Sequence, residues 1–236
     1  ATETYHDKWI DFVTDQRARQ AMELRKIIRE ELPGALFSMY SSYYPHASGS
    51  YSCDWRKMAD HVDVGMAGYG GEWTNAASNT AAVLRAKGKK FLNGIGFWMP
   101  GHPVEGAGTS FAKSMLAGCN GVSLYASNTD RFNATTLYYL AQVTQFLPEL
   151  EPFLVSGVEG QGLSTTLLSA VRVRNRHCLI VLMNHSPKTL SGKLLWRGRP
   201  LQRIRRLGDT KILNRLPESV EVPPFEAIWF TAEFAR

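Results

Sequence analysis

Residues 61–73 read His61-Val62-Asp63-Val64-Gly65-Met66-Ala67-Gly68-Tyr69-Gly70-Gly71-Glu72-Trp73. A short apolar run, rich in β-branched and small residues, passes straight into a glycine-rich loop, the pattern of a buried strand ending in an open turn. Thr74 is placed to cap a helix that runs through Val83 and Leu84 to Gly88, a glycine suited to end it. Working outward, the same unit recurs on both sides. Upstream lie a long amphipathic helix over 7–32, with Ile10, Val13, Ala21, Leu24, Ile28 and Leu32 at helical spacing, and a strand over 35–40 after Pro33-Gly34. Downstream come a strand over 90–98, a short helix over 110–117, a strand over 121–125 and a helix over 135–146 that Pro148 is expected to close.

Residues 1–150 therefore alternate helix and strand, which predicts a parallel sheet with crossover helices. The loops entering the strands are tight, and those leaving them are long and rich in glycine, aromatic and polar residues. That asymmetry marks the ligand-facing end of an α/β sheet. Beyond Glu151 the texture changes. Segments 165–174, 177–184, 190–196, 219–222 and 227–231 alternate or run apolar between turn signals, which predicts an antiparallel β-sandwich over 151–236.

Composition narrows the classes. The chain has 236 residues, 44% hydrophobic and 20% charged, which excludes disordered, collagen-like and coiled-coil proteins. No apolar run is long enough to span a bilayer, so no membrane partner is expected. The chain begins at Ala1 without a charged-then-apolar leader, which fits removal of something upstream. Residues 1–151 hold 14 Lys/Arg against 15 Asp/Glu, and residues 152–236 hold 13 against 6. The net charge of +6 thus comes from the last third, densest at Arg197, Arg199, Arg203, Arg205 and Arg206. Such a strip either attracts a polyanion or forms a solvated face. No helix or aromatic-interleaved strand there suits nucleic acid, so none is expected. Cys53, Cys119 and Cys178 are scattered, forming neither a disulfide framework nor a zinc spacing. Cys119 and Cys178 read as core residues. Asn133-Ala134-Thr135 and Asn184-His185-Ser186 are sequons. Gly68-Tyr69-Gly70-Gly71 lacks both the phosphate-loop lysine and the dinucleotide spacing, so no nucleotide cofactor is expected.

Four strand–helix units followed by a small β-domain resemble the C-terminal half of a (β/α)8-barrel glycoside hydrolase with its C-terminal β-sandwich. Trp9-Ile10-Asp11-Phe12 resembles the helix after the fourth barrel strand. Ser38-Met39-Tyr40-Ser41-Ser42-Tyr43-Tyr44 resembles the fifth strand and its aromatic loop, and Val62 to Tyr69 the sixth strand. Lys89 to Trp98 resembles the seventh strand, and Ala117 to Tyr125 the eighth. The resemblance implies a carbohydrate substrate, two facing carboxyl groups as acid and base or nucleophile, and no cofactor. It also implies that strands one to four lie outside this chain, because 236 residues fall short of the ~250 usual for a full barrel. The missing half is expected from the same precursor or from another chain. The compartment stays open, with a secreted or periplasmic one favoured.

Candidate site residues follow from their places at strand ends. Glu72, flanked by Tyr69 and Trp73, is the expected catalytic acid, because adjacent aromatic rings raise a carboxyl pKa; alternatively it caps the next helix. Asp54 is a substrate-positioning carboxylate or the N-cap of a short helix over 55–59. Glu105 is the acid nearest the end of the seventh strand, which itself ends Gly96-Phe97-Trp98 without a carboxylate. Asp130 lies past the eighth strand, beside Arg131. Asp63 sits at the start of its strand and is excluded. Tyr40, Tyr43, Tyr44, Tyr69, Trp73, Trp98 and Tyr125 fall at or just past strand ends, where rings can stack on the C–H faces of sugars or fill the base of the loops. His46 and His102 could bind substrate hydroxyls, and their isolation argues against a metal.

Overall fold

The computed structural model describes residues 4–44, 53–68, 73–96, 112–125, 141 and 144–235. They fall into two compact units, residues up to 96 together with 117–125, and residues 112–116 together with 141–235.

The first unit opens with α1 (Tyr5–Glu31). Thr4 and Asp7 form a reciprocal capping box, Asp7 N–H donating to Thr4 Oγ1 at 3.2 Å and Thr4 N–H to Asp7 Oδ2 at 3.0 Å. Its buried positions are small, Thr14, Ala18 and Ala21, which lets α2 (Trp55–Met58) approach closely. The opposite face exposes Tyr5, Trp9, Phe12 and Ile27. Strands β1 (Ser38–Ser41), β2 (Val64–Ala67), β3 (Lys90–Gly96) and β4 (Gly121–Tyr125) make a parallel sheet in chain order, with Tyr40 beside Met66, Ala67 beside Asn93 and Gly94 beside Ser123.

Helices α2 and α3 (Trp73–Ala86) cover one face of this sheet around Trp55, Met58, Leu84 and Phe91. Burial of each such side chain contributes about 1.5–3 kcal/mol. A Cβ on Gly65 would stand 2.4 Å from Leu84 Cδ1 and 3.0 Å from Trp55 Cζ3, so the absent side chain sets the helix-to-sheet distance. Gly88, at φ +67°, ends α3 as expected. Lys89 N–H reaches Leu84 O and Gly88 N–H reaches Arg85 O, both at 2.9 Å, which satisfies the last-turn carbonyls. Thr74, expected as the N-cap, lies inside α3, which already begins at Trp73. Parallel strands are normally covered on both faces. Here Tyr40, Met66 and Leu92 on the other face keep part of their surface.

The second unit begins with helical residues 112–116. Lys113 Nζ lies 2.7 Å from His185 Nε2, and burial lowers the lysine pKa to about 8. Residues 141 and 144 are helical, and then α4 (Leu147–Ser156) starts with Pro148 in its first turn. Pro148 therefore opens a helix where a stop was expected, because a first-turn residue needs no N–H.

The six-stranded antiparallel sheet has the order β12 (Ile212–Leu213), β11 (Leu201–Arg206), β14 (Ala227–Phe234), β8 (His177–Met183), β7 (Leu168–Arg174), β5 (Val158–Glu159). Two ribbons, β6 (Leu163–Ser164) with β10 (Leu195–Trp196) and β9 (Leu190–Lys193) with β13 (Ser219–Val222), share its core through Leu194, Val222, Leu163 and Val220. The sandwich expected from sequence thus has a second layer made of two ribbons. The expected single strand over 190–196 is divided between them.

Candidate functional site

Of the residues expected to face a ligand, Tyr40, Tyr43, Tyr44, Asp54, Trp73 and Tyr125 are among the described residues. Tyr40, near the end of β1, is 40% exposed. Its ring lies across two neighbouring strands. A Cβ on Gly68 would meet Tyr40 Oη at 2.2 Å, and one on Gly94 would meet Tyr40 Cε2 at 2.9 Å. The two glycines therefore leave the space that the Tyr40 ring occupies.

Tyr43 is placed differently. It is 3% exposed, and its hydroxyl donates to Asn93 Oδ1 at 2.5 Å. Burial pushes its phenol pKa far above the usual value. Tyr43 thus ties the loop after β1 to the buried middle of β3. Asn93, 3% exposed in an otherwise apolar strand, was missed by the sequence reading. A polar side chain interrupting an apolar run is the signal that could have found it. Tyr44 donates its N–H to Thr80 Oγ1 at 2.8 Å and carries the Arg56 guanidinium 5.2 Å from its ring centre.

Asp54 caps α2. Its Oδ1 accepts from Arg56 N at 2.9 Å, and its Oδ2 pairs with Arg56 Nη2 at 2.5 Å. Burial acts to raise its carboxyl pKa, but the Arg56 hydrogen bonds and charge outweigh burial and hold it below the usual range. Asp63, excluded from sequence, serves the opposite end of the sheet. It accepts from Phe37 N–H at 2.9 Å and pairs with Arg25 at 2.5 Å and Arg29 at 3.1 Å. Trp73 opens α3 and Tyr125 closes β4. Glu72, His46, Tyr69, Trp98, His102, Glu105 and Asp130 lie outside the described residues.

Among the described residues no group of three His, Cys, Asp or Glu side chains could hold a metal ion. The three cysteines are buried and in no disulfide, and burial raises the Cys53 thiol to about 11 and the Cys178 thiol to about 12. The sequon residue Asn184 is fully buried. Its amide donates to Lys188 O at 2.7 Å, Val222 O at 2.9 Å and Pro223 O at 3.0 Å, and its Oδ1 accepts from Ser186 N at 2.8 Å. That amide is occupied in bracing the β-domain.

No protein-family model matches the sequence, and no curated protein does. Solved structures do. The chain is similar to Amy13B of Eubacterium rectale, with a TM-score of 0.53 at 8% identity over 94% of this chain and 57% of that one. It is similar to the noncanonic maltogenic alpha-amylase AmyB of Thermotoga neapolitana, at 0.54 and 10% over 91% and 59%. It is also similar to an Anoxybacillus alpha-amylase, at 0.51 and 11% over 93% and 57%. This chain spans under three-fifths of the length of each. At such identities the likeness concerns the fold, which is a partial parallel (β/α) barrel with helices followed by antiparallel sheets, as in barrel glycoside hydrolases with a C-terminal β-domain.

Proposed function

We propose that this chain supplies the later strands and the β-domain of a glycoside hydrolase acting on a poly- or oligosaccharide. The observation that carries the reading is Tyr40, 40% exposed and packed against Gly68 and Gly94 where the parallel strands end. Ligands of α/β sheets sit at that end, and an exposed aromatic side chain suits the C–H face of a sugar. Among the described residues β1 and β4 each have a strand on one side only. Four parallel strands cannot close a barrel, so further strands are proposed to come from the same precursor or another chain.

In this reading Glu72, on the connection from β2 to α3, protonates the leaving oxygen, and its counterpart carboxylate comes from the strands outside this chain. The test is hydrolysis of a panel of neutral and acidic polysaccharides by the full natural polypeptide and its Glu72→Gln variant. A loss of about 10²–10⁴-fold in kcat is expected from removing a general acid. An unchanged rate in Glu72→Gln removes the assignment.

A second reading has its own support. β3 carries no carboxylate over Lys90–Gly96, and Phe97-Trp98 follows. A non-catalytic carbohydrate-binding or scaffold protein would keep the aromatic end without the acid pair. Retention of glycans with no turnover by the full polypeptide selects it.

A further inference from the structure

We propose that the β-domain holds a second carbohydrate site, for a sugar bearing a carboxylate, on the face of the six-stranded sheet opposite its core. The place is a cavity of about 380 Å³ between α4 and strands β7, β8, β11 and β14. Pockets that enclose small ligands start near 300 Å³. Its walls are of three kinds. Pro152, Phe153 and Ile212 provide apolar surface, Arg174, His177, Arg203 and Arg205 provide cationic or donor groups, and Glu149 and Glu233 provide acceptors.

The backbone is bent to build this wall. The β11–β14 register shifts between Gln202 and Arg205, so that Arg203 and Ile204 together oppose Ala232. Arg203 takes φ +51°, a left-handed conformation that disfavours a side chain. Bulges of this kind re-aim side chains and gather beside sites. Ile204 is fully buried in the core while Arg203 and Arg205 line the cavity.

Charge pairing is incomplete. Arg205 pairs with Glu149, and Arg203 with Glu233 at 3.4 Å. Three arginines against two glutamates leave one positive charge. Among the described residues neither the Arg174 guanidinium nor the His177 ring has a side-chain partner. A planar guanidinium without a partner accepts a carboxylate through two parallel hydrogen bonds. The paired glutamates remain as acceptors for hydroxyl donors and repel densely charged anions. One carboxylate, several hydroxyls and an apolar ring face match a uronic-acid residue better than a phosphate.

The choice of a sugar rests on the carbohydrate reading above, whereas the anion site itself rests on the geometry. Calorimetric titration of the whole chain uses trigalacturonate, neutral maltotriose and inorganic phosphate. Trigalacturonate is expected to bind, with affinity falling on added salt and about tenfold in Arg174→Gln, in line with loss of a charge-assisted pair. Maltotriose is expected to show no Arg174-dependent binding, and phosphate is expected to compete weakly. Arg174 is itself exposed at the end of β7, and a matching melting curve verifies that the variant folds. Equal trigalacturonate binding by wild type and Arg174→Gln overturns the proposal, as does full displacement by equimolar phosphate. Polysaccharide hydrolysis is a separate readout. Absent turnover with Arg174-dependent binding sinks the hydrolase reading and upholds this site.

Discussion

Asp63 shows how one carboxylate is withdrawn from catalysis and given to the framework. It sits just before β2, where it joins two arginines of α1 to the Phe37 amide. Burial raises its pKa, but the Phe37 N–H and the two arginines lower it more, so the folded value lies below 3.8. A depressed carboxylate stabilises the fold at pH above the unfolded value, and the contribution is lost as pH falls through the folded value. Asp63→Asn is therefore expected to lower stability by about 1–3 kcal/mol near neutrality. The gap should start to close about one unit above 3.8 and vanish in acid, as measured by urea unfolding across pH. A gap independent of pH would contradict the assignment. The position of Asp63 at a strand start was legible in the sequence. The division of Tyr40 from Tyr43 was not, because both follow the same local pattern. Only the placement of Gly68 just past β2, and of Gly94 and Asn93 on β3, leaves Tyr40 partly exposed and ties Tyr43 down.

At the scale of elements, close approach explains what substitutions will do. Gly65 stands against Leu84 and Trp55, so Gly65→Ala must push α3 or α2 outward, at about 1–3 kcal/mol. Adding Leu84→Ala to Gly65→Ala is expected to cost less than the sum of the two single changes, because the shortened side chain makes room. Strict additivity in thermal or urea melts would remove that account. The helix–strand alternation over 1–125 was legible because parallel strands and their crossovers differ in hydrophobic period and in loop length. Strand β11 escaped notice because half of Leu201-Gln202-Arg203-Ile204-Arg205-Arg206 is arginine, and only Ile204 is fully buried in the core. Its arginines read as a basic strip, and the bulge that turns them onto one wall depends on pairing with β14.

For the molecule as a whole, the open strands dominate. In the described residues β1 and β4 are edges, and Tyr5, Trp9, Phe12 and Ile27 lie exposed along α1. Unpaired parallel edges and apolar faces are association surfaces. If further barrel strands complete this sheet, the isolated chain is expected to self-associate and bind a hydrophobic dye. Co-production with the remaining barrel segment should abolish both, as read by light scattering and dye fluorescence. A monodisperse, dye-negative chain would argue against missing strands. By itself the sequence determined the helix–strand alternation up to residue 125, the change from parallel to antiparallel texture and the basic bias of the last third. Those are carried by periodicity, turn residues and local charge, which act over a few neighbours. The tertiary structure decided which tyrosine stays partly exposed and which is buried, which carboxylates are spent on caps and ion pairs, and where Arg174, His177, Arg203 and Arg205 meet around one cavity. These depend on register and close packing between strands distant in the chain, which no local pattern encodes.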